Sequence, residues 1–131
     1  MLLVEPTYKP TWEIPGGAVE KNESPTAACR REVIEELDLD RSGGRVLAID
    51  WVPPRPERTE GLMLAYDGGV LTPDDIRAIR LPADELASYA FVEPEGVSEL
   101  ASAVLARRID ACLDAVAAGT VTSLENGRPI T

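Results

Sequence analysis

Apolar and polar positions along the chain fall into short runs punctuated by proline and glycine, with two longer stretches at helical spacing. "LLVE" (Leu2 to Glu5) reads as a short strand. "PTYKPTWEIPGG" reads as a proline-punctuated connection carrying an extended piece from Trp12 to Ile14. Ser24 followed by Pro25 makes an N-cap and first-turn pair for a helix. Its apolar positions Val33, Ile34 and Leu37 recur at about 100° per residue, on the side away from Glu32, Glu35 and Glu36. "RVLAIDWV" (Arg45 to Val52) and "LMLAYD" (Leu62 to Asp67) predict two strands joined by the charged, proline-rich loop "PPRPERTEG". Ile76 to Leu81 predicts a strand, and "ADELASY" a short helix. A long helix is expected from about Glu95 to Ala118, with Gly119 as its stop. "TVTSLENGRPIT" carries an Asn-Gly turn signal and no core pattern, so 119–131 is expected to be a C-terminal tail. This mixture, without regular βαβ spacing, predicts mixed α/β or α+β layers.

At 131 residues the chain suits one domain. Lys and Arg number 13 against 23 Asp and Glu, a net charge of −10, which disfavours a partner such as a nucleic acid polymer. No run approaches the ~18 apolar residues of a membrane span, and no signal peptide follows Met1, so a cytoplasmic protein with no membrane partner is expected. Cys29 and Cys112 lie in helix-like sequence without a CxxC spacing, as small buried hydrophobes do. There is no histidine, which removes imidazole proton shuttles, histidine triads and the common zinc sites. The chemistry must run on carboxylates, which prefer hard cations such as Mg²⁺ or Mn²⁺.

Glu32, Glu35 and Glu36 share one helical face, where they repel one another unless something positive stands there. A solvated face relieved by Arg30 and Arg31 is one reading, and a divalent metal site is the other. "IPGG" before the helix shifts the balance, because Gly16 and Gly17 allow a tight backbone whose carbonyl can serve as one more oxygen ligand.

The register Gly17, Glu23, Arg31, Glu32, Val33, Glu35, Glu36 and Leu39 resembles the signature of the Nudix hydrolases, G-x5-E-x7-R-E-U-x-E-E-x-G-U with U aliphatic. Asp38 stands where that signature has glycine. Asp reaches the left-handed region at roughly 1 kcal/mol, so the change bears on the helix end and removes no carboxylate. The resemblance implies an α/β/α sandwich around a mixed sheet, with Glu32, Glu35, Glu36 and the Gly16 carbonyl as Mg²⁺ or Mn²⁺ ligands. It implies Glu23 and Arg31 as a structural ion pair. It also implies a strand ahead of "LLVE", so either a segment ahead of Met1 is missing or the sheet is short by a strand, with an open edge.

The implied reaction is hydrolysis of the diphosphate linkage in a nucleoside diphosphate derivative: a nucleotide sugar such as ADP-ribose, or a nucleoside triphosphate. Candidate general bases are Glu32 and the loop glutamates Glu93 and Glu95, although "EPEG" also reads as an acidic helix start. Lys9, Arg55 and Arg58 are candidates for phosphate, and Tyr8 or Trp12 for stacking on a base. Trp12 equally suits a core place beside Ile14. Pro54 resembles a proline of ADP-ribose-cleaving members, in a segment rich in prolines. The alternative function is a Nudix-fold module that senses a nucleotide without cleaving it. A homodimer is left open as the assembly.

Overall fold

The computed structural model describes residues 1–130. In chain order its elements are β1 (Leu2–Pro6), α1 (Pro25–Leu37), β2 (Val46–Val52), β3 (Gly61–Tyr66), α2 (Pro73–Ala78), β4 (Leu86–Phe91), a 3₁₀ turn at Pro94–Gly96, α3 (Val97–Leu100), α4 (Ala103–Ala118), β5 (Thr122–Glu125) and β6 (Arg128–Pro129). They divide into two units, one formed by Met1–Gly44 and Gly68–Leu100, the other by Arg45–Asp67 and the residues from Ala101 on. As the sequence predicts, the class is mixed α/β with a mixed sheet.

In the first unit β1 and β4 pair antiparallel, Leu3 opposite Ala90 and Val4 opposite Tyr89. Their apolar side meets α1 and α2 in a core of Val4, Leu37, Leu39, Ile79 and Leu86, with Val33 and Leu71 packed against it. The Ser24 hydroxyl accepts the Ala27 N–H and starts α1, with Pro25 in the first turn. Asp38 ends the helix in the left-handed region at φ 57°, its N–H returning to the Ile34 carbonyl, so it does the work of the missing glycine. Ile34 is not on the buried face as expected. It lies about 100° round the helix from Val33, at the rim of the apolar stripe, and is 38% exposed.

Three other expectations are overturned here. Ile76 to Leu81 is not a strand: α2 covers its first half because Thr72 forms a capping box. The Thr72 hydroxyl accepts the Asp75 N–H, the Asp75 carboxylate accepts the Thr72 N–H, and Pro73 fills the first turn. "ADELASY" is not a helix. A turn closes from the Glu85 and Leu86 N–H groups to the Pro82 carbonyl, and β4 then pairs with β1. The long helix from Glu95 is broken, because the Ser102 hydroxyl accepts the Leu105 N–H and starts α4 afresh.

The second unit is a four-stranded sheet in the order β3-β2-β5-β6. β2 and β3 form an antiparallel hairpin, Trp51 opposite Leu62, while β5 runs parallel to β2 with Leu124 opposite Asp50. The expected tail is therefore structured: Leu124 is 1% exposed and packs with Ala48, Ala65 and Ala111 of α4. Asn126 and Gly127, at φ 51° and 78°, make the tight turn into β6. Beneath it the Arg108 Nε donates to Asp50 Oδ2 at 2.7 Å and the Gly127 N–H to Asp50 Oδ1 at 3.1 Å. Arg45 closes the other end of α4, donating to the carbonyls of Ala115 and Thr120 beside Gly119 at φ 67°. Both cysteines are free and half-buried, and burial pushes their thiols up, as inert packing residues require.

Candidate functional site

The geometry of α1 sorts its three acids by their angle from the buried stripe. Val33 and Leu37 define that stripe, and at about 100° per residue Glu35 points almost directly away from it. Glu32 and Glu36 fall on its flank. Glu35 is accordingly exposed, while Glu32 and Glu36 are half-buried.

Arg31 ties this helix to the glycine loop. Its Nε and Nη2 grip the two oxygens of Glu23 at 2.7 and 2.9 Å, its Nη1 reaches Glu32 Oε1 at 2.9 Å, and its Nη2 also donates to the Ala18 carbonyl at 3.1 Å. The bidentate Arg31 contact, helped by the Glu20 N–H, holds the Glu23 carboxyl down to about 2. Glu35 is drawn to the same guanidinium at 3.3 Å.

Gly17 presses the loop backbone against Glu32: a Cβ built there would stand 2.8 Å from Glu32 Oε2. Gly16, at φ 153°, hydrogen-bonds the Glu36 carboxylate through its backbone. Burial pushes the Glu36 carboxyl up to about 7, and the like charges of Glu32 and Glu85 add to the rise against that one hydrogen bond. Glu85 is the residue that sequence reasoning missed, because it was read inside a helix. It sits in the turn before β4, held there by Thr7, whose N–H donates to the Glu85 carbonyl at 2.9 Å and whose hydroxyl donates to the Asp84 carbonyl at 2.9 Å.

A divalent cation suits this donor set. The like charges of Glu32 and Glu85 bear on the half-buried Glu36, and that repulsion and desolvation are costs that a cation bound to these hard oxygen donors would offset. As the side chains stand, no group of three Asp, Glu or Cys among the described residues is gathered closely enough to ligate an ion. Glu35, like Glu32, shares Arg31 Nη1, at 3.3 and 2.9 Å.

The other expected site residues are placed as follows. Glu93 precedes the 3₁₀ turn, its carbonyl accepting the Gly96 N–H, and Glu95 lies within that turn; both are exposed. Neither is among the charges that act on Glu36. Lys9 is ion-paired with Glu13, and its ammonium lies 5.9 Å from the centroid of the Tyr8 ring. Trp12 is half-buried, its N–H donating to the Leu100 carbonyl. Arg55 and Arg58 belong to the second unit, where their backbones pair across the turn of the β2–β3 loop.

The family model described as the NUDIX domain matches residues 1–111. Diphosphoinositol polyphosphate phosphohydrolase 2 of Rattus norvegicus is 39% identical over 59 residues, which is 45% of this chain and 33% of that protein. The chain thus matches about a third of the length of that curated relative. Among solved structures, the MutT protein from Methanosarcina mazei Go1 aligns with a TM-score of 0.67 at 22% identity, over 90% of this chain and 83% of its own. An ADP-ribose pyrophosphatase from Streptococcus suis 89-1591 aligns with a TM-score of 0.57 at 23% identity, over 95% and 87%. These likenesses show a shared fold.

Proposed function

The chain belongs to the Nudix hydrolase family, and on that premise we propose that it is a cytoplasmic pyrophosphohydrolase that cleaves the diphosphate linkage of a nucleoside diphosphate derivative. The observation that carries this reading is the placing of the α1 carboxylates by the Gly16–Gly17 loop, with Glu32 against Gly17 and Arg31 tying the helix to that loop. Glu32, Glu35, Glu36 and the Gly16 carbonyl would hold Mg²⁺ or Mn²⁺, with Glu85 as a further oxygen donor. When bound, such an ion would lower the pKa of an attacking water and shield phosphate charge from the acidic face.

The chain's own residues supply the rest. Arg31 holds the Gly17–Glu23 loop and the α1 carboxylates in one frame, so that they are oriented before substrate arrives. Glu32 lies against the glycine loop, its carboxylate close to Gly17 and hydrogen-bonded by Arg31 Nη1 at 2.9 Å, so it is held in place to accept a proton from water. Glu32 is favoured over Glu93 and Glu95 as general base because those two stand exposed at the 3₁₀ turn.

The test is turnover of ADP-ribose, other nucleotide sugars, dinucleoside polyphosphates and nucleoside triphosphates with Mg²⁺ or Mn²⁺, with EDTA as control. Glu36→Gln is expected to lower kcat at least ~10²-fold while the fold is retained. Tight nucleotide binding without metal-dependent turnover of any of these would establish the sensor instead.

A further inference from the structure

The sheet of the second unit ends in two edges that are built differently. On one side β6 has only two residues, Arg128 and Pro129, and a charge and a proline are what keep an edge from pairing further. On the other side β3 has six residues, GLMLAY, with neither. Both of its faces are apolar. Leu62 and Leu64 stand opposite Trp51 and Ile49 on one face, and Ala65 packs with Ala48 and Ala111 of α4 on the other. An apolar run on both faces is the pattern of a strand inside a sheet. Here it lies at the rim, where Leu62 is 68% exposed and Trp51 and Ile49 are exposed beside it.

The backbone of β3 serves β2 at every second residue. Arg55 and Arg58 exchange both backbone hydrogen bonds, at 2.8 and 3.1 Å, and the same register runs on from Val52 opposite Gly61 to Ala48 opposite Ala65. Bonded and non-bonded pairs alternate along an antiparallel ladder. Leu62 and Leu64 therefore turn their N–H and C=O groups to β2, while Gly61, Met63 and Ala65 turn theirs outward. Among the described residues, no backbone group meets these outward ones. Their positions are symmetric about Met63. A second copy laid antiparallel, Met63 opposite Met63, pairs Gly61 with Ala65 and leaves none of the outward groups over. The same register sets Leu62 against Leu64, and Glu60 against Tyr66 instead of Asp67, so no acid faces an acid.

We propose that the outer edge of β3 is an interaction surface for a second copy of this chain, the two joined about a two-fold axis at Met63 into one continuous sheet. A strand pair of this length buries less than the roughly 1,200–2,000 Å² of a standard interface, so the dissociation constant is micromolar. Each copy carries a net charge of −10, and salt that screens this repulsion tightens the dimer.

The experiment is sedimentation velocity on the whole chain from about 1 to 200 µM, with amide hydrogen exchange followed by NMR. Wild type is expected to pass from monomer to dimer across that range. Leu62→Asp changes an exposed side chain, so it should keep the fold and raise the dissociation constant about tenfold or more. Met63→Pro removes an outward N–H that the monomer does not use, and should abolish the dimer. At the highest concentration the Gly61, Met63 and Ala65 amides should exchange severalfold more slowly in wild type than in Leu62→Asp, while the Leu64 amide, bonded to β2, stays protected in both. A wild type that remains monomeric throughout overturns the proposal. So does a dimer that Leu62→Asp retains at wild-type strength, or one whose three outward amides exchange as fast as in that variant. Should Met63→Pro fail to fold, Leu62→Asp and the alternating protection decide.

Discussion

Asp50→Ala is expected to be among the most damaging single changes outside the candidate site. Asp50 is 0% exposed and Arg108 5% exposed, so neither charge can turn to water for solvation. Truncating one partner of a buried pair costs about 3–5 kcal/mol, because the other charge is left uncompensated. The same carboxylate also accepts the buried Gly127 N–H, and orphaning such a donor costs about 1–3 kcal/mol. The two losses share one side chain and do not simply add, so about 4 kcal/mol is expected. A typical domain has only about 5–15 kcal/mol in all. With a urea m-value of about 1.5 kcal/mol/M, the midpoint should fall by about 2.5 M in equilibrium denaturation followed by circular dichroism. The double variant Asp50→Leu with Arg108→Met removes both charges together and should recover most of that loss. A shift below about 0.5 M for Asp50→Ala would refute the reasoning, since it would mean that water or another group compensates Arg108.

Two further outcomes are expected at the glycine loop. The Glu23 carboxyl, held at about 2 against an ordinary 4.5, stabilises the fold fully above 4.5, and that contribution is lost as pH falls through 2. Arg31→Ala removes the cause, so its acid-unfolding midpoint in a pH titration should lie higher than that of wild type; equal midpoints would count against the pair as a brace. Gly17→Ala should leave the urea midpoint nearly unchanged, because the Glu32 carboxylate can swing aside, yet lower turnover by roughly tenfold or more by displacing it. Unchanged kcat in that variant would show that the position of Glu32 is immaterial.

How far the fold was legible depended on whether local signals agreed. β1, α1, β2 and β3 were readable because cap, periodicity and turn residues all pointed one way. Between Ile76 and Tyr89 they conflicted. The isoleucines of "IRAIRL" suggested a strand, but the Thr72–Asp75 capping box satisfies backbone donors locally and wins. "LASYAF" becomes strand only because β1 offers it an edge, a partner more than 80 residues away in sequence that no window can see. The same error hid Glu85. The three acids of α1 were readable from spacing and the Glu23–Arg31 pair from the family resemblance, whereas the Lys9–Glu13 pairing depends on how the loop after β1 is tied. Those ties are backbone hydrogen bonds, and side-chain identity does not record them.

The turn at Asn126 and Gly127 has a consequence for how the protein ages. An Asn-Gly peptide degrades when the glycine nitrogen attacks the asparagine side-chain carbonyl, expels ammonia and leaves a cyclic imide that opens to aspartate or isoaspartate. The attack needs a free glycine nitrogen and a backbone able to rotate. Here that nitrogen is donated to a buried carboxylate, the Asn126 N–H is held by the Trp51 carbonyl at 2.8 Å, and the Asn126 carbonyl is held by Arg107 at 2.9 Å. Folding thus keeps a chemically fragile dipeptide out of its reactive conformation. Unfolding of this hairpin exposes the chain to a slow covalent change that refolding cannot reverse.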